Sequence, residues 1–196
     1  MKSIQSKDLD LNKKKVLIRL DLNVPISGKK IIDTNRIDKI IPTLNFLIKS
    51  NAKIIILSHI GRPKGNIIND LSLKPVCDFL VKKLNKKINL INENIDKIKI
   101  DEVFNEENNI IMLENLRFYK EEENDDSEFA KSLAQLADIY VNEAFSCSHR
   151  KHASVHSITN FIPSYSGIQL ELEVNSLKRI TESIKRPISC VIGGSK

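Results

Sequence analysis

The sequence has no tryptophan, few other aromatic residues and no long hydrophobic run. Aromatic side chains make up 5% of the 196 residues, which argues against a stacking platform for single-stranded nucleic acid. The longest apolar run is about four residues, Ile54 to Leu57, whereas a membrane-spanning helix needs ~18, so we expect no membrane partner. No apolar stretch follows the first lysines, and we therefore expect no secretory signal.

Cysteine is also scarce. Cys77, Cys147 and Cys190 are odd in number and far apart, with no CxxC pair. This usage provides no disulfide framework and is typical of a reducing compartment, so we expect a cytoplasmic protein. The remaining composition, with 41% hydrophobic and 29% charged residues, is that of a globular chain and argues against a disordered or fibrous protein.

The charge balance is positive, with a formal net charge of +6 and a pI of about 9.1. This favours an anionic partner, either nucleic acid or a small phosphorylated molecule. The densest basic runs are Lys13 to Lys15 and the split pairs Lys82-Lys83 and Lys86-Lys87. These runs indicate solvated ends of helices and strands, so we expect the small molecule and no nucleic-acid partner.

Short β-branched runs alternate with apolar stripes at helical spacing. This order predicts an α/β fold in which a parallel sheet is sandwiched by helices, a three-layer, Rossmann-like arrangement. Pro42 lies inside the first helical stripe and could bend it. The acidic stretch 121–126 is predicted to be a solvated loop whose Asp125 and Asp126 can cap the next helix, with metal binding as the minor alternative. Strands are predicted at 16–20, 53–57, 88–91, 110–113, 139–141 and 188–192, and helices at 37–48, 75–84, 127–137 and 170–184.

Polar residues follow the predicted strands at their carboxyl ends, where open parallel sheets bind ligands. Four of the seven arginines fall at this edge: Arg36, Arg62, Arg117 and Arg150. Each alone could be a surface salt bridge or a helix cap. Together they predict a site for a small molecule with several negative charges, because the guanidinium fork grips carboxylate and phosphate in a bidentate manner.

The remaining residues near this edge have other expected roles. Asp21 and Asn23 follow the first strand and could bond a hydroxyl group of the ligand. Arg19 lies inside that strand and is expected to be structural, buried and paired with a carboxylate. Arg179 and Arg186 are expected to be solvated.

Other chemistry-bearing patterns are weaker. The spacing of Cys147, His149, His152 and His156 could fit zinc, but two adjacent cations, Arg150 and Lys151, oppose a dication, so loop structure and anion contact are favoured. Neither a G-x-S-x-G nor a Walker A motif is present. The final Gly-Gly-Ser-Lys follows a predicted strand and resembles the beginning of a phosphate-cradling turn.

Five motifs, in order along the whole chain, resemble those of the phosphoglycerate kinase family. They are RLDLNVP at 19–25, SHIGRPKG at 58–65, LENLRF at 113–118, VNEAFSCSHR at 141–150 and GGSK at 193–196. The departure is Glu143, where the family more often has aspartate, and we expect this difference to matter little.

The resemblance implies a two-lobed glycolytic kinase about twice this length. Such an enzyme transfers a phosphoryl group reversibly between 1,3-bisphosphoglycerate with ADP and 3-phosphoglycerate with ATP. It implies that residues 1–170 form the phosphoglycerate-binding N-terminal lobe and 171–186 the linking helix. Residues 187–196 would be the first strand and turn of a nucleotide-binding lobe, which is otherwise missing and which would bind most of Mg-ATP or Mg-ADP. A monomer is expected.

The resemblance also implies a role for each site residue. Asp21 and Asn23 would orient the substrate hydroxyl, and Arg36 and Lys196 would stabilise charge on the migrating phosphoryl group. No metal ligand is expected in this chain. The implied grip on the 3-phosphate and its neighbours comes from His59, Arg62, Arg117 and Arg150, and the implied nucleotide contacts come from Gly193, Gly194 and Lys196.

A fragment that holds 3-phosphoglycerate without turnover is the alternative function. It describes these 196 residues better on physical grounds, since they lack both a nucleotide lobe and the closure that excludes water. The predicted strand 188–192 would then have no sheet to join and should be exposed or loosely packed.

Overall fold

The computed structural model describes residues 2–28, 30–104, 109–182, 184, 186–189, 191 and 193. The strands are β1 (Lys15–Arg19), β2 (Ile26–Ser27), β3 (Lys30–Ile31), β4 (Lys53–Leu57), β5 (Asn89–Ile91), β6 (Ile110–Leu113), β7 (Ile139–Asn142) and β8 (Ser164–Ser166). The helices are α1 (Asn35–Lys49), α2 (Lys74–Leu84), α3 (Ile100–Val103), α4 (Lys120–Glu123), α5 (Ser127–Ala134) and α6 (Ile168–Thr181). Single 3₁₀ turns lie between several of them.

Within these ranges, six strands form a parallel sheet in the order β5-β6-β4-β1-β7-β8, while β2 and β3 form a small antiparallel hairpin. The central strands are apolar on both faces because each face carries a layer of helices. Val16 and Ile18 of β1 belong to the buried cluster that α1 and α2 cover, whereas Leu17 belongs to the opposite cluster, which α5 covers. The predicted three-layer α/β fold is therefore confirmed.

Helix α1 buries Ile37, Ile40, Leu44 and Leu47, which recur at spacings of three and four residues and so form one face of a helix. Pro42 lies within this helix, and residues 35–49 still form one continuous element. On α6 the apolar spacing predicts the helix correctly but not its burial: Leu172, Leu177 and Ile180 are about half exposed.

Some elements were not predicted from the sequence, and one predicted segment has a different structure. The hairpin and β8 are only two or three residues per strand, too short for a periodic pattern. The predicted solvated loop at 121–126 is wrong, because α4 covers part of it and Glu122 is fully buried. Asp126 does cap α5, since its side chain accepts a hydrogen bond from the backbone N–H of Phe129 at 2.8 Å.

The predicted strand at 188–192 is not present in its described residues. Ile188, Ser189 and Val191 are not in a strand, and Val191 is almost fully exposed. A strand needs a neighbour to complete its hydrogen bonds, and the described sheet ends at β8. None of the described helices has the length and apolar character that crossing a membrane requires.

Candidate functional site

The segments that follow β1, β4, β6 and β7 meet at one edge of the sheet. The register aligns the last residue of β1, Arg19, with Leu57 at the end of β4 and with Asn142 at the end of β7. Because all of these strands run in the same direction, residues two to eight positions beyond each strand are brought together.

A cavity of about 210 Å³ lies at this edge. It contains all seven residues for which phosphoglycerate contacts are implied, together with Ser146, which the sequence analysis did not single out, and Cys147, which it considered only as part of a zinc spacing. Both lie inside the segment 141–150, which the motif analysis had already placed at this edge. The lining is Asp21, Asn23, Arg36, His59, Arg62, Arg117, Ser146, Cys147 and Arg150.

The floor of the cavity is held by contacts between the strand ends. The buried Ser58 hydroxyl donates to the carbonyl of Leu20 at 2.9 Å and accepts from the N–H of Leu22 at 3.2 Å. Asn23 accepts from the N–H of Gly61 through its Oδ1 at 3.1 Å. These bonds fix the segment after β4 against the segment after β1.

Gly61 is favoured in this arrangement by its backbone conformation. Its φ of +64° lies in the left-handed region, which glycine adopts without steric cost. A Cβ added there would also lie 2.7 Å from Leu71 Cδ2, so the Leu71 side chain would have to shift. The chain therefore turns sharply after His59, which leaves Arg62 exposed at the cavity rim.

Asp21 and Arg36 form an ion pair across the cavity. Arg36 Nη1 donates to both carboxylate oxygens of Asp21 at 2.7 Å, and Ser146 Oγ donates to Oδ2 at 2.6 Å. This pairing holds Arg36 toward the cavity, although its side chain is about half exposed.

Arg117 is the one arginine of the cavity lining that is buried, with 4% of its surface exposed. Its Nη1 donates to the carbonyl of Gly61 at 2.8 Å, while its Nε, 3.5 Å from Glu123 Oε1, makes no hydrogen bond. Burial lowers the pKa of Arg117 from its usual value, but an arginine remains charged at neutral pH. A buried, incompletely bonded guanidinium is suited to an anionic partner.

His59 is 3% exposed and lies against Arg19. Its Nδ1 is 2.7 Å from Arg19 Nη2. Burial, followed by the positive charges of Arg19 and Arg117, lowers the pKa of His59 from 6.5 to about 2. His59 is therefore neutral and contributes no positive charge to the cavity.

Arg19 is buried as predicted, but its predicted direct pairing with a carboxylate is wrong. Its Nε donates to Ser154 Oγ at 3.1 Å and its Nη1 to the carbonyl of Leu20 at 2.7 Å. The carboxylate is one step further away, because Ser154 Oγ donates to Glu122 Oε1 at 2.6 Å. The serine thus bridges a buried cation and a buried anion.

The histidines that suggested a zinc site make separate contacts. His156 Nδ1 is 2.6 Å from Asp125 Oδ2. His152 Nδ1 lies 3.9 Å from Glu122 Oε1, too far for a hydrogen bond, and burial outweighs the carboxylate and lowers the pKa of His152. In the part of the chain that the structure describes, no three His, Cys, Asp or Glu side chains form a cluster that could hold a metal ion.

Acid is expected to destabilise the fold through His59. In the unfolded chain His59 has a pKa near 6.5 and in the fold about 2, so the unfolded state binds more protons between these values and stability falls as the pH falls. From pH 7 to pH 5 the free energy of unfolding should fall by about 2 kcal/mol from this residue alone. Urea titrations at the two pH values measure it.

His59→Asn is the matched control for the pH effect. Its amide oxygen can still accept from Arg19 but does not titrate, so this variant should lose about 2 kcal/mol less than the parent chain between pH 7 and pH 5. An equal loss in both chains would contradict the assignment to His59.

The cavity carries an excess of positive charge. Four arginines face one carboxylate, Asp21, and His59 is neutral. A larger cavity, of about 680 Å³, lies elsewhere, between the β2-β3 hairpin and α2. Its lysines are interspersed with Asp70 and Asp78, and Lys74 is paired with Asp78. The smaller cavity is therefore the better candidate for a multiply charged anion.

Two of the three predicted nucleotide-contacting residues, Gly194 and Lys196, lie outside the described residues. Gly193 is described, and a Cβ added to it would meet no atom within 4 Å. Their roles therefore stay predictions.

Known proteins resemble this chain in sequence and in structure. The family model named "Phosphoglycerate kinase" matches residues 6–196. A phosphoglycerate kinase of Wolbachia pipientis wMel is 50% identical over 188 residues, which are 95% of this chain and 47% of that protein. The solved phosphoglycerate kinase of Coxiella burnetii is 38% identical, with a TM-score of 0.83 over 92% of this chain and 45% of that chain.

A phosphoglycerate kinase structure from Pyrococcus horikoshii OT3 has the same TM-score, 0.83, at 28% identity. This match covers 95% of this chain and 47% of that chain. The chain therefore spans about half the length of the curated relatives that it matches, and it corresponds to their N-terminal half. On this evidence, the chain belongs to the phosphoglycerate kinase family.

Proposed function

We propose that this chain supplies the phosphoglycerate-binding half of a phosphoglycerate kinase, which transfers a phosphoryl group between 1,3-bisphosphoglycerate and ADP, or 3-phosphoglycerate and ATP. The observation that carries the proposal is the cavity in which Arg36, Arg62, Arg117 and Arg150 converge. A three-carbon acid phosphate bears several negative charges, and a site with an excess of guanidinium groups matches them.

The proposed chemistry is positioning and neutralisation of charge. A carboxylate nucleophile needs no proton removed, and phosphoryl transfer asks mainly that the reacting groups be aligned and their charge stabilised. Asp21 and Asn23 orient the substrate hydroxyl, while His59, Arg62, Arg117 and Arg150 bind the 3-phosphate and its neighbours.

Arg36 and Lys196 are proposed to act on the transferring phosphoryl group from opposite sides. Arg36 is already directed into the cavity by its ion pair with Asp21. Mg-ATP or Mg-ADP is the second substrate, held mainly by the part of the family's length that this chain does not span. These 196 residues alone should therefore bind phosphoglycerate without turning it over, since closure around the reacting groups is incomplete.

Replacing Arg62 by alanine should weaken binding of 3-phosphoglycerate by about 1.5–3 kcal/mol, the usual contribution of a hydrogen bond to a charged group. This is roughly a 10- to 150-fold rise in Kd, measured by calorimetric titration of the 196-residue chain. Added salt should weaken binding to the parent chain, because the attraction is electrostatic.

The matched control is Arg179→Ala, which removes an exposed arginine from α6. It should leave the Kd unchanged within twofold. If Arg62→Ala binds as tightly as Arg179→Ala, or if the parent chain does not bind 3-phosphoglycerate, the proposed site is wrong.

A further inference from the structure

The contact between Arg19 and His59 determines where the proton of His59 resides. An arginine side chain has five N–H donors and no acceptor. Because Arg19 Nη2 lies 2.7 Å from His59 Nδ1, the histidine nitrogen must accept, and so it carries no proton. A neutral imidazole has one proton, which must then be on Nε2.

Arg19 is held so that it cannot turn away from this contact. It is 0% exposed, and its other nitrogens donate to Ser154 Oγ and to the carbonyl of Leu20. Ser154 is itself fixed, because the Glu122 carboxylate accepts one hydrogen bond from its hydroxyl at 2.6 Å and another from its backbone N–H at 2.9 Å. The guanidinium therefore presents a fixed donor to His59.

Cationic groups surround His59 from every neighbouring element that affects its charge. Arg19 comes from β1, Arg117 from the turn after β6, and Arg150 from the segment after β7. His152, also after β7, is the other titratable group that faces His59, and burial lowers its pKa as well. A second proton on His59 would be placed against the Arg19 guanidinium, without an acceptor. The hydrogen bond that His59 makes to another described side chain uses Nδ1, which leaves Nε2 as the nitrogen available to the cavity that His59 lines.

We propose that Arg19 is a positioning residue that holds His59 as the neutral Nε2–H tautomer, so that the cavity receives a directed hydrogen-bond donor instead of a further cation. For the identity of the anion that this donor meets, the inference rests on the proposed function. The positive charge of the cavity is then set by its arginines alone, and the hydrogen bond from His59 persists at every pH at which the fold is stable.

The tautomer can be measured directly, without any ligand. In long-range ¹H–¹⁵N correlation spectra of the chain labelled with ¹⁵N-histidine, His59 should show an unprotonated Nδ1 and a protonated Nε2, with no titration between pH 8 and pH 5. The spectrum of His59→Gln, which lacks these signals, assigns them among the four histidines. A protonated Nδ1, or a titration midpoint near 6.5, would overturn the proposal.

Arg19→Lys tests whether Arg19 is the cause. Lysine keeps the charge but lacks the planar fork that spans Ser154, Leu20 and His59, so His59 should show a mixture of tautomers in the same spectra. A pure Nε2–H tautomer in a folded Arg19→Lys chain would show that Arg19 does not set it. Ser154→Ala, which frees the Nε end of Arg19, gives a second variant with the same expected direction.

Binding of 3-phosphoglycerate then tests the donor itself. The amide of His59→Asn falls near Nδ1 and can still accept from Arg19, whereas the amide of His59→Gln reaches the position of Nε2 and can donate into the cavity. We expect a Kd at least tenfold higher for His59→Asn and substantial recovery with His59→Gln. Equal losses in the two variants would contradict a donor at Nε2. If the parent chain does not bind the ligand at all, the proposed function fails, while the spectra still decide the tautomer.

Discussion

Glu122→Ala is expected to lower the free energy of unfolding by about 3–5 kcal/mol, the usual effect of breaking a buried charged network by removing one partner. Glu122 is 0% exposed and accepts two hydrogen bonds from Ser154. Without it, the hydrogen-bond network around the buried Arg19 guanidinium contains no anion among the described residues, and the N–H and O–H groups of Ser154 lose their acceptor. Urea unfolding at pH 7 measures the change.

The matched control is Glu121→Ala, one position earlier in α4, where the side chain is exposed. It removes the same charge from the same short helix and should change stability by less than about 0.5 kcal/mol. If the two variants unfold at the same urea concentration, Glu122 does not neutralise Arg19 in the way described here.

Glu143→Ala should destabilise the chain by about 2–4 kcal/mol, because three donors lose their acceptor at a buried position. The carboxylate accepts from the Thr43 hydroxyl and from the backbone N–H groups of Gln169 at 3.0 Å and Leu170 at 2.9 Å. The two N–H groups belong to the first turn of α6, whose N-cap residue, Gly167, has no side chain with which to bond them. Glu143 therefore caps that helix from the end of β7.

The control for Glu143 is Glu173→Ala, on α6 itself. Glu173 lies 3.6 Å from Lys39 Nζ in a solvent-accessible ion pair, and its removal should cost no more than about 1 kcal/mol. Comparable unfolding curves for the two variants would show that Glu143 does not anchor α6.

The pattern of apolar residues along the chain was sufficient to predict the layers of the fold and the edge of the sheet at which the site lies. Strand β4 was predicted with its observed bounds, because an apolar run without alternation is typical of a strand covered on both faces. The convergence of Arg62, Arg117 and Arg150 also followed from sequence, because parallel strands place the residues beyond their carboxyl ends side by side. The short strand β8 did not follow, since three residues with two serines carry no periodic signal.

Motifs and periodicity along the chain were sufficient to predict the family, the three-layer α/β fold and the residues that gather at one edge of the sheet. The state of the charged groups behind that edge depends instead on contacts between segments that are distant in the chain, and these contacts are seen in the folded protein alone. Arg19 meets Ser154 across 135 positions, and Ser154 meets Glu122 across 32. Glu122 lies in an acidic run that resembles a solvated loop, and its burial depends on a partner that no local pattern indicates. The protonation of His59 follows from that network, because the energy of a buried charge is set by what packs around it in space.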